Sequence, residues 1–462
     1  MNDKNFSSLP LKPELIENLA TLEYHEMTDI QMQSLPYILA GKDVIAQGKT
    51  GSGKTAAFGL GLLNKLEVKR FRIQTLVLCP TRELADQVAK EIRNLARAIH
   101  NIKVLTLCGG VPFGPQVGSL EHGAHIIVGT PGRIEDHLGR GTLTLADVSM
   151  LILDEADRML EMGFQASLDN IIEQIPSQRQ TLLFSATYPK QIQVIANKIM
   201  VSPEMVQATA THDESTITQL FYKVDDNDNA QRVQAIRLLL LEYQPESSVV
   251  FCNTKREAQD VASSLVNYGF SAVALHGDLE QRDRDQTLVR FANKSAAIMV
   301  ATDVAARGLD IDTLDAVFNF HIARDSEIHV HRIGRTGRAG NKGMAFSLYS
   351  DKERYKVGLL EDYLDKTIES EILPDVEVLN RAVFVPRMTT LQIDGGKKQK
   401  IRPGDILGAL TAENGIDGKD VGKIQLGANW AYVAVARSSL KIALKKLTEG
   451  KLKGRNFRVR EL

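Results

Sequence analysis

Short apolar runs alternate with amphipathic stretches along most of the chain. Between Asp43 and Gln207 the clear strand candidates are Thr75–Cys79, Lys103–Leu107, His125–Gly129, Met150–Leu153 and Gln180–Phe184. Each run is short and aliphatic, and each is separated from the next by enough chain for a crossover helix. That alternation predicts a parallel sheet flanked by helices. A polar, Thr-rich stretch near Ala208–Thr216 interrupts it and reads as a linker. A second series follows in Ser248–Cys252, Ala272–Leu275, Ala297–Ala301, Ala316–Phe320 and Gly343–Leu348. The body therefore reads as two α/β domains in tandem. After about Pro386 the pattern changes. Thr389–Ile393, Trp430–Ala436 and Asn456–Arg460 are strand-like, while Pro403–Glu413 and Ser439–Leu447 are helical. A β-α-β-β-α-β order suggests a small split βαβ sandwich. The expected division is 1–207, a linker at 208–217, 218–380, and a tail at 385–462.

Composition narrows the class. A chain of 462 residues with 43% hydrophobic and 24% charged residues is ordinary for globular protein of two or three domains. No apolar run approaches the ~20 residues of a membrane span, and the polar start Met1-Asn2-Asp3-Lys4-Asn5 lacks a signal-peptide core, so a cytoplasmic protein is expected. Cys79, Cys108 and Cys252 lie far apart in or beside β-like runs, which suits buried free thiols better than a metal site. The formal net charge of −1 conceals an asymmetry. Arg381–Leu462 carries 17 Lys and Arg against 7 Asp and Glu, a net of +10 that leaves the rest of the chain at −11. A basic tail on an acidic body points to a polyanionic partner at that end.

Two strings carry the chemistry. Gly48-Lys49-Thr50-Gly51-Ser52-Gly53-Lys54-Thr55 fits a phosphate-binding loop. Its glycines let backbone N–H groups turn toward phosphates, and the following helix adds its positive end. Lys54 neutralises phosphate charge, and the Thr55 hydroxyl is suited to Mg²⁺. Asp154-Glu155-Ala156-Asp157 follows the apolar run Met150-Leu151-Ile152-Leu153. Asp154 at a strand end suits the same ion, and Glu155 suits polarising an attacking water. Hydrolysis of a nucleoside triphosphate is the leading reading. In the second domain, His331-Arg332-Ile333-Gly334-Arg335-Thr336-Gly337-Arg338 places arginines three apart. On a helical turn they face one way, toward charge developing on the phosphates.

With these strings the chain resembles a DEAD-box RNA helicase of superfamily two. The resemblance runs through about Phe6–Leu373. It includes Thr28-Asp29-Ile30-Gln31, the loop Ala46–Thr55, Pro80-Thr81-Arg82-Glu83-Leu84, Gly109-Gly110 and Thr130-Pro131-Gly132-Arg133. Asp154–Asp157 and Ser185-Ala186-Thr187 complete the first half. The second half has Val250-Phe251-Cys252-Asn253-Thr254, Gln281-Arg282-Asp283-Arg284, Thr302-Asp303, Ala306-Arg307-Gly308-Leu309-Asp310 and His331–Arg338. The usual Gly-Phe and Pro around the first of these motifs are Glu23-Tyr24 and Met27. The resemblance implies two RecA-like parallel-sheet domains and an RNA-stimulated ATPase.

It also implies roles. Gln31 would read adenine, with Tyr24 packing beside it. Gly48, Thr50, Gly51, Ser52, Gly53, Lys54 and Thr55 would hold the phosphates, and Gly308 and Asp310 would touch ATP from the second domain. Thr55 and Asp154 would hold Mg²⁺, Glu155 would act as base, and Arg335 and Arg338 would be arginine fingers. Asp157, Ser185, Thr187 and His331 would couple hydrolysis to closure. Thr81, Arg82, Gly110, Thr130, Gly132 and Arg133 would hold RNA in the first domain, and Thr254, Gly277 and Thr302 in the second. Contacts of that kind read backbone and 2′-OH groups, not sequence.

The tail is similar to that of a bacterial branch of the family that ends in a small, basic, RRM-like α+β domain. This implies recognition of large-subunit ribosomal RNA or pre-ribosomal particles, in ribosome assembly, by a monomer. Trp430 and Tyr432 fall on the two stacking positions of the RRM pattern, yet Ala428-Asn429 replaces its Lys/Arg-Gly and Gln392 stands where an aromatic is expected. RNA binding by the sheet face, or by loops and the basic helix with Lys441, Lys445 and Lys446, both stay open. So do three activities: local unwinding of RNA duplexes, an ATP-gated RNA clamp or scaffold with little unwinding, and a DNA translocase of the same superfamily. The Gln31 motif and Asp154–Asp157 favour RNA.

Overall fold

The computed structural model describes residues 4–48, 51–208, 217–224, 229–306, 314–337 and 342–462. Among the described residues the strands form three sheets. The first contains β1 (Val44–Gln47), β2 (Thr75–Leu78), β3 (Val104–Leu107), β4 (Ile126–Gly129), β5 (Met150–Asp154), β6 (Gln180–Ser185) and β7 (Glu204–Gln207). The second contains β8 (Ile217–Lys223), β9 (Ser248–Cys252), β10 (Ala272–Leu275), β11 (Ile298–Thr302), β12 (Ala316–Asn319), β13 (Gly343–Tyr349) and β14 (Ser370–Glu371). The third contains β15 (Met388–Ile393), β16 (Val421–Leu426), β17 (Ala431–Ala436) and β18 (Val459–Glu461). They fall into two compact units, the first with β1–β7 and the second with β8–β18.

The first sheet runs β3-β4-β2-β5-β6-β1-β7, with every neighbouring pair parallel. Its central strands β2, β5 and β6 are buried at every position and largely aliphatic because helices cover both faces. Along β5 successive side chains enter opposite cores. Ile152 packs with Val77, Leu182 and Phe184, while Leu151 and Leu153 pack with Leu76, Leu78 and Leu183. This order sets the C-terminal ends of β5, β6 and β1 side by side, which is where open α/β sheets bind ligands.

The second sheet repeats the plan as β10-β11-β9-β12-β13-β8-β14, again parallel. The third is antiparallel in the order β16-β17-β15-β18. Its helices Pro403–Thr411 and Leu440–Glu449 cover one face, where Ile406, Leu410, Ala443 and Leu447 meet Leu391, Ile393, Val433 and Val435. The expected β-α-β-β-α-β order is present. Its second strand, β16, carries Gly422, Lys423 and Gln425 and only partly buried apolar groups, so no run marked it in the sequence. Cys79, Cys108 and Cys252 are free and buried, and burial pushes all three thiols up. No helix among the described residues is long and apolar enough to cross a membrane.

Candidate functional site

The loop after β1 is closed by the segment in front of it. Thr28 donates from Oγ1 to the Ser52 carbonyl at 2.7 Å, and Gln31 donates from Nε2 to the Gly53 carbonyl at 3.1 Å. Thr28 N–H in turn donates to Gln31 Oε1 at 2.9 Å, the capping box of helix Asp29–Leu39. Gln31 is buried, with one amide hydrogen and one carbonyl lone pair still uncommitted by these bonds. Gly53 has φ +90°, and a Cβ there would meet Gln31 Nε2 at 2.5 Å, so only glycine fits both the turn and the neighbour. Helix Lys54–Lys65 starts at once, and the buried Lys54 ammonium donates to the Gly48 carbonyl at 2.6 Å. Tyr24 is half-buried, edge-on to Phe6, and donates its hydroxyl to Glu91 at 2.8 Å. Thr50 lies outside the described residues.

The carboxylates occupy the neighbouring strand ends. Asp154 closes β5 and is buried. Burial pushes its carboxyl up to about 7 despite the pull of Lys54. Glu155 has φ 51° and ψ 52°, a left-handed conformation that costs a non-glycine residue energy and that recurs at functional sites. Its side chain is buried, and Oε2 makes no hydrogen bond, with Arg158 Nε 3.6 Å away. Asp157 is saturated by contrast. Its Oδ2 accepts from the Thr187 amide at 3.0 Å and hydroxyl at 2.9 Å, and its own amide donates to Ser185 Oγ at 3.3 Å. Burial raises the Asp157 carboxyl, but the Thr187 bonds with the charges of Arg158 and Lys54 together outweigh it, and the net shift is downward. The structure thus brings Asp157, Ser185 and Thr187 together, and the Gly48 amide donates to the Ser185 carbonyl at 3.0 Å.

The residues assigned to RNA sit at strand ends in both units. Thr81 accepts from Leu84 N–H at 3.3 Å and caps helix Arg82–Leu95, and Arg82 lies 3.6 Å from Asp86. Gly110 has φ +75° after β3, and Gly132 faces open space. Thr130 is buried before helix Pro131–Gly139. Arg133 donates twice to the Val111 carbonyl at 3.1 Å and covers the Phe113 ring at 5.6 Å. In the second unit Thr254 accepts from Glu257 N–H at 3.1 Å and caps helix Lys255–Asn267. Gly277 follows β10 against Lys255, and Thr302 ends β11.

The arginine string departs from the sequence reading in one respect. Helix Ser326–Ile333 ends before Arg335, so the arginines do not share a helical face. Arg332 turns inward. Its Nε and Nη2 each lie 2.7 Å from an Asp303 oxygen, and its Nη1 donates to Asn319 and to the His321 carbonyl at 3.1 and 3.0 Å. Arg335 is buried in the turn that follows, and His331 on the helix is partly buried. Gly308, Asp310 and Arg338 lie outside the described residues.

Comparison with known proteins decides the family. Residues 28–195 match the DEAD/DEAH box helicase model, 231–340 the helicase conserved C-terminal domain, and 390–461 the DbpA RNA binding domain. The chain is 52% identical over 458 residues to the ATP-dependent RNA helicase DbpA of Escherichia coli K12, covering 99% of each. The chain belongs to the DEAD-box ATP-dependent RNA helicases. It is also 41% identical to the ATP-dependent RNA helicase CshA of Listeria monocytogenes, over 79% of this chain and 69% of that one. Among solved structures it resembles S. cerevisiae Dbp5 bound to RNA and ADP BeF3, with TM-score 0.71 and 28% identity over 80% of this chain and 95% of that one. As a member of that family the chain is an RNA-stimulated ATPase with a DbpA-type RNA-binding domain.

The tail of this helicase shows what the motifs could not. The sheet face opposite its helices carries Thr390, Gln392, Tyr432 and Arg460, and it lies against helix Gln281–Ala292 and the turn beyond it. Gln286 donates to Gln392 at 3.0 Å, Asn293 donates to Thr390 at 3.2 Å, and the Ser295 and Thr390 hydroxyls are 2.7 Å apart. Tyr432 is buried there, with burial and Asp285 raising its phenol while Gln286 bonds to it. Tyr432 is therefore no open stacking platform in this structure, and Gln392 replaces an aromatic because it faces a protein amide. Trp430 is half-buried beside Gly427. Lys441 and Lys445 are exposed on the opposite, helical side. Lys446 donates to the Glu413 carbonyl.

Proposed function

We propose that this helicase uses ATP and Mg²⁺ to unwind or remodel RNA locally, and that its tail directs it to large-subunit ribosomal RNA or pre-ribosomal particles during ribosome assembly, as a cytoplasmic monomer. The division 1–207, 218–380 and 385–462 is proposed to separate nucleotide loop, arginine string and RNA selector. The observation that carries the reading is the pairing of a +10 tail, matched to an RNA-binding domain, with a core whose candidate RNA contacts are threonines, glycines and arginines. Such groups bind phosphate and ribose and leave sequence selection to another surface.

Within the core, Thr55 and Asp154 are the proposed holders of Mg²⁺. A buried carboxylate whose charge is disfavoured by burial, joined by the hydroxyl that Thr55 supplies, fits a hard cation that prefers oxygen. The ion supplies charge neutralisation at the phosphates when bound. Lys54 exchanges the Gly48 carbonyl for phosphate oxygen, and Glu155 offers Oε2, which makes no hydrogen bond, to a water proton. Gln31, with Tyr24 alongside, uses its remaining amide valences on adenine. Gly48, Thr50, Gly51, Ser52 and Gly53 cradle phosphates, with Gly308 and Asp310 contributing from the second half. Arg335 and Arg338 stabilise transition-state charge. Asp157, Ser185, Thr187 and His331 transmit closure. Thr81, Arg82, Gly110, Thr130, Gly132, Arg133, Thr254, Gly277 and Thr302 hold RNA.

The test is the ATPase rate of the full chain on large-subunit ribosomal RNA and on poly(A) at equal nucleotide concentration. Stronger stimulation by ribosomal RNA is expected. Equal stimulation overturns the targeting.

A further inference from the structure

Beyond β12 lies a buried ionic cluster that no motif assignment uses. His321 places Nε2 at 2.8 Å from Glu257 Oε1 and Nδ1 at 3.3 Å from Glu353 Oε1. Both ring nitrogens thus face carboxylates, which only accept hydrogen bonds. A neutral imidazole would turn a lone pair toward one of them. The imidazolium donates to both.

The surroundings carry matched charge. From helix Asn229–Tyr243, Arg232 reaches Glu353 Oε2 at 2.6 Å and the Phe320 carbonyl at 2.6 Å. Lys356, no more exposed than His321, lies 3.5 Å from Glu353 Oε1. From helix Ser326–Ile333, Arg332 holds the His321 carbonyl and Asp303. Arg232, Arg332 and Lys356 balance Glu257, Glu353 and Asp303 before the ring is counted, so the ring proton is held by the two carboxylates that its nitrogens face. Remove that proton and one ring nitrogen turns a lone pair toward a carboxylate oxygen at 2.8 or 3.3 Å, a repulsive contact that loosens the cluster on that side.

Glu257 leads to the nucleic-acid side. Its Oε2 accepts from the Asn253 amide at 2.9 Å, and its own amide donates to Thr254. Asn253 Oδ1 also meets Arg332 Nη2 at 3.5 Å. One ring therefore joins the start of helix Lys255–Asn267, which bears Thr254, to the helix that leads into Arg335. We infer that His321 is a positioning residue, a positively charged clasp that fixes the Thr254 RNA contact against the Arg332 helix and makes the RNA grip of this unit depend on pH. The inference rests on the RNA-contact role proposed above for Thr254.

Burial lowers the His321 pKa, but Glu257 and Glu353 outweigh it and leave it above the usual histidine value. A raised histidine pKa means that the clasp is complete below the ordinary value and opens as pH rises through the folded one. For the full-length protein, the apparent KM for RNA in the ATPase assay should rise roughly three- to tenfold between about pH 6 and pH 8.5. His321→Gln should show the weakened KM at every pH, and His321→Lys, which keeps a charge across that range, should flatten the profile near the tight end. Thermal unfolding confirms that each variant is folded. If His321→Gln follows the wild-type pH profile while Thr254→Ala weakens RNA, the clasp is overturned. If Thr254→Ala leaves the RNA KM unchanged at all pH values, the RNA role of Thr254 fails and the clasp falls with it.

Discussion

The two parallel sheets solve the same folding problem and treat their polar strand ends in opposite ways. At the end of β5, Glu155 sits in a strained conformation with a carboxylate oxygen that makes no hydrogen bond and has Arg158 3.6 Å away, and Asp154 is buried with its charge disfavoured. Beyond β12, His321, Glu257, Glu353 and Arg232 exchange short contacts among themselves. Buried polar groups left without partners cost stability, so they persist where a ligand completes them. Saturated clusters fix geometry instead. On the proposed reading the Glu155 end of the first unit is left unfinished for ATP, while the cluster beyond β12 spends its charges on holding its parts in register.

The largest expected effect tests the unfinished side. Glu155→Gln keeps size and hydrogen bonding but takes no proton, so turnover should fall about 10²- to 10⁴-fold while ATP and RNA still bind. Phosphate release beside nucleotide and RNA binding measures this, and a normal rate would remove Glu155 from the chemistry. Next is the saturated side. Arg332→Ala strands Asp303 and should destabilise the second unit by about 3–5 kcal/mol. Chemical denaturation followed through the single tryptophan, Trp430 in that unit, reads it, and an unchanged midpoint would mean the cluster is slack.

Lys54→Ala removes a charge-assisted contact and should weaken ATP about ten- to hundredfold, or roughly 1.5–3 kcal/mol, in a nucleotide titration. Acid separates the two sides further. Burial raises the Glu353 carboxyl, but His321 and Arg232 outweigh it and hold it at about 2. Its contribution is present above the usual glutamate range and is lost as pH falls toward 2, so Glu353→Gln should flatten acid unfolding of the second unit between about pH 5 and pH 2. The smallest effect concerns the tail. Gln286→Ala should cost about 1 kcal/mol of docking. It should raise hydrogen exchange in β15 and leave β5 unchanged.

What was legible in the sequence follows chain distance. The loop around Lys54 and the strand ending in Asp154 are contiguous strings, and their residue types state their chemistry. The family resemblance gave Asp157, Ser185 and Thr187 one shared role, and in the structure hydrogen bonds join the three. The clasp was hidden because His321 and Glu257 are 64 positions apart and each is unremarkable alone. The arginine string misled because periodicity assumes that the helix continues, and here it stops at Ile333. The docked tail was invisible for the same reason as the clasp, with Gln286 and Gln392 separated by 106 positions.

The covered sheet face bears on how portable the tail is. Thr390, Gln392 and Tyr432 are matched to Gln286, Asn293 and Ser295 of the core, not to solvent. Transplanted onto another helicase, the tail would present an unmatched polar face to a foreign helix. A chimaera meant to redirect an unrelated core must carry those three core residues with the graft, so the unit of exchange is the tail together with its landing site.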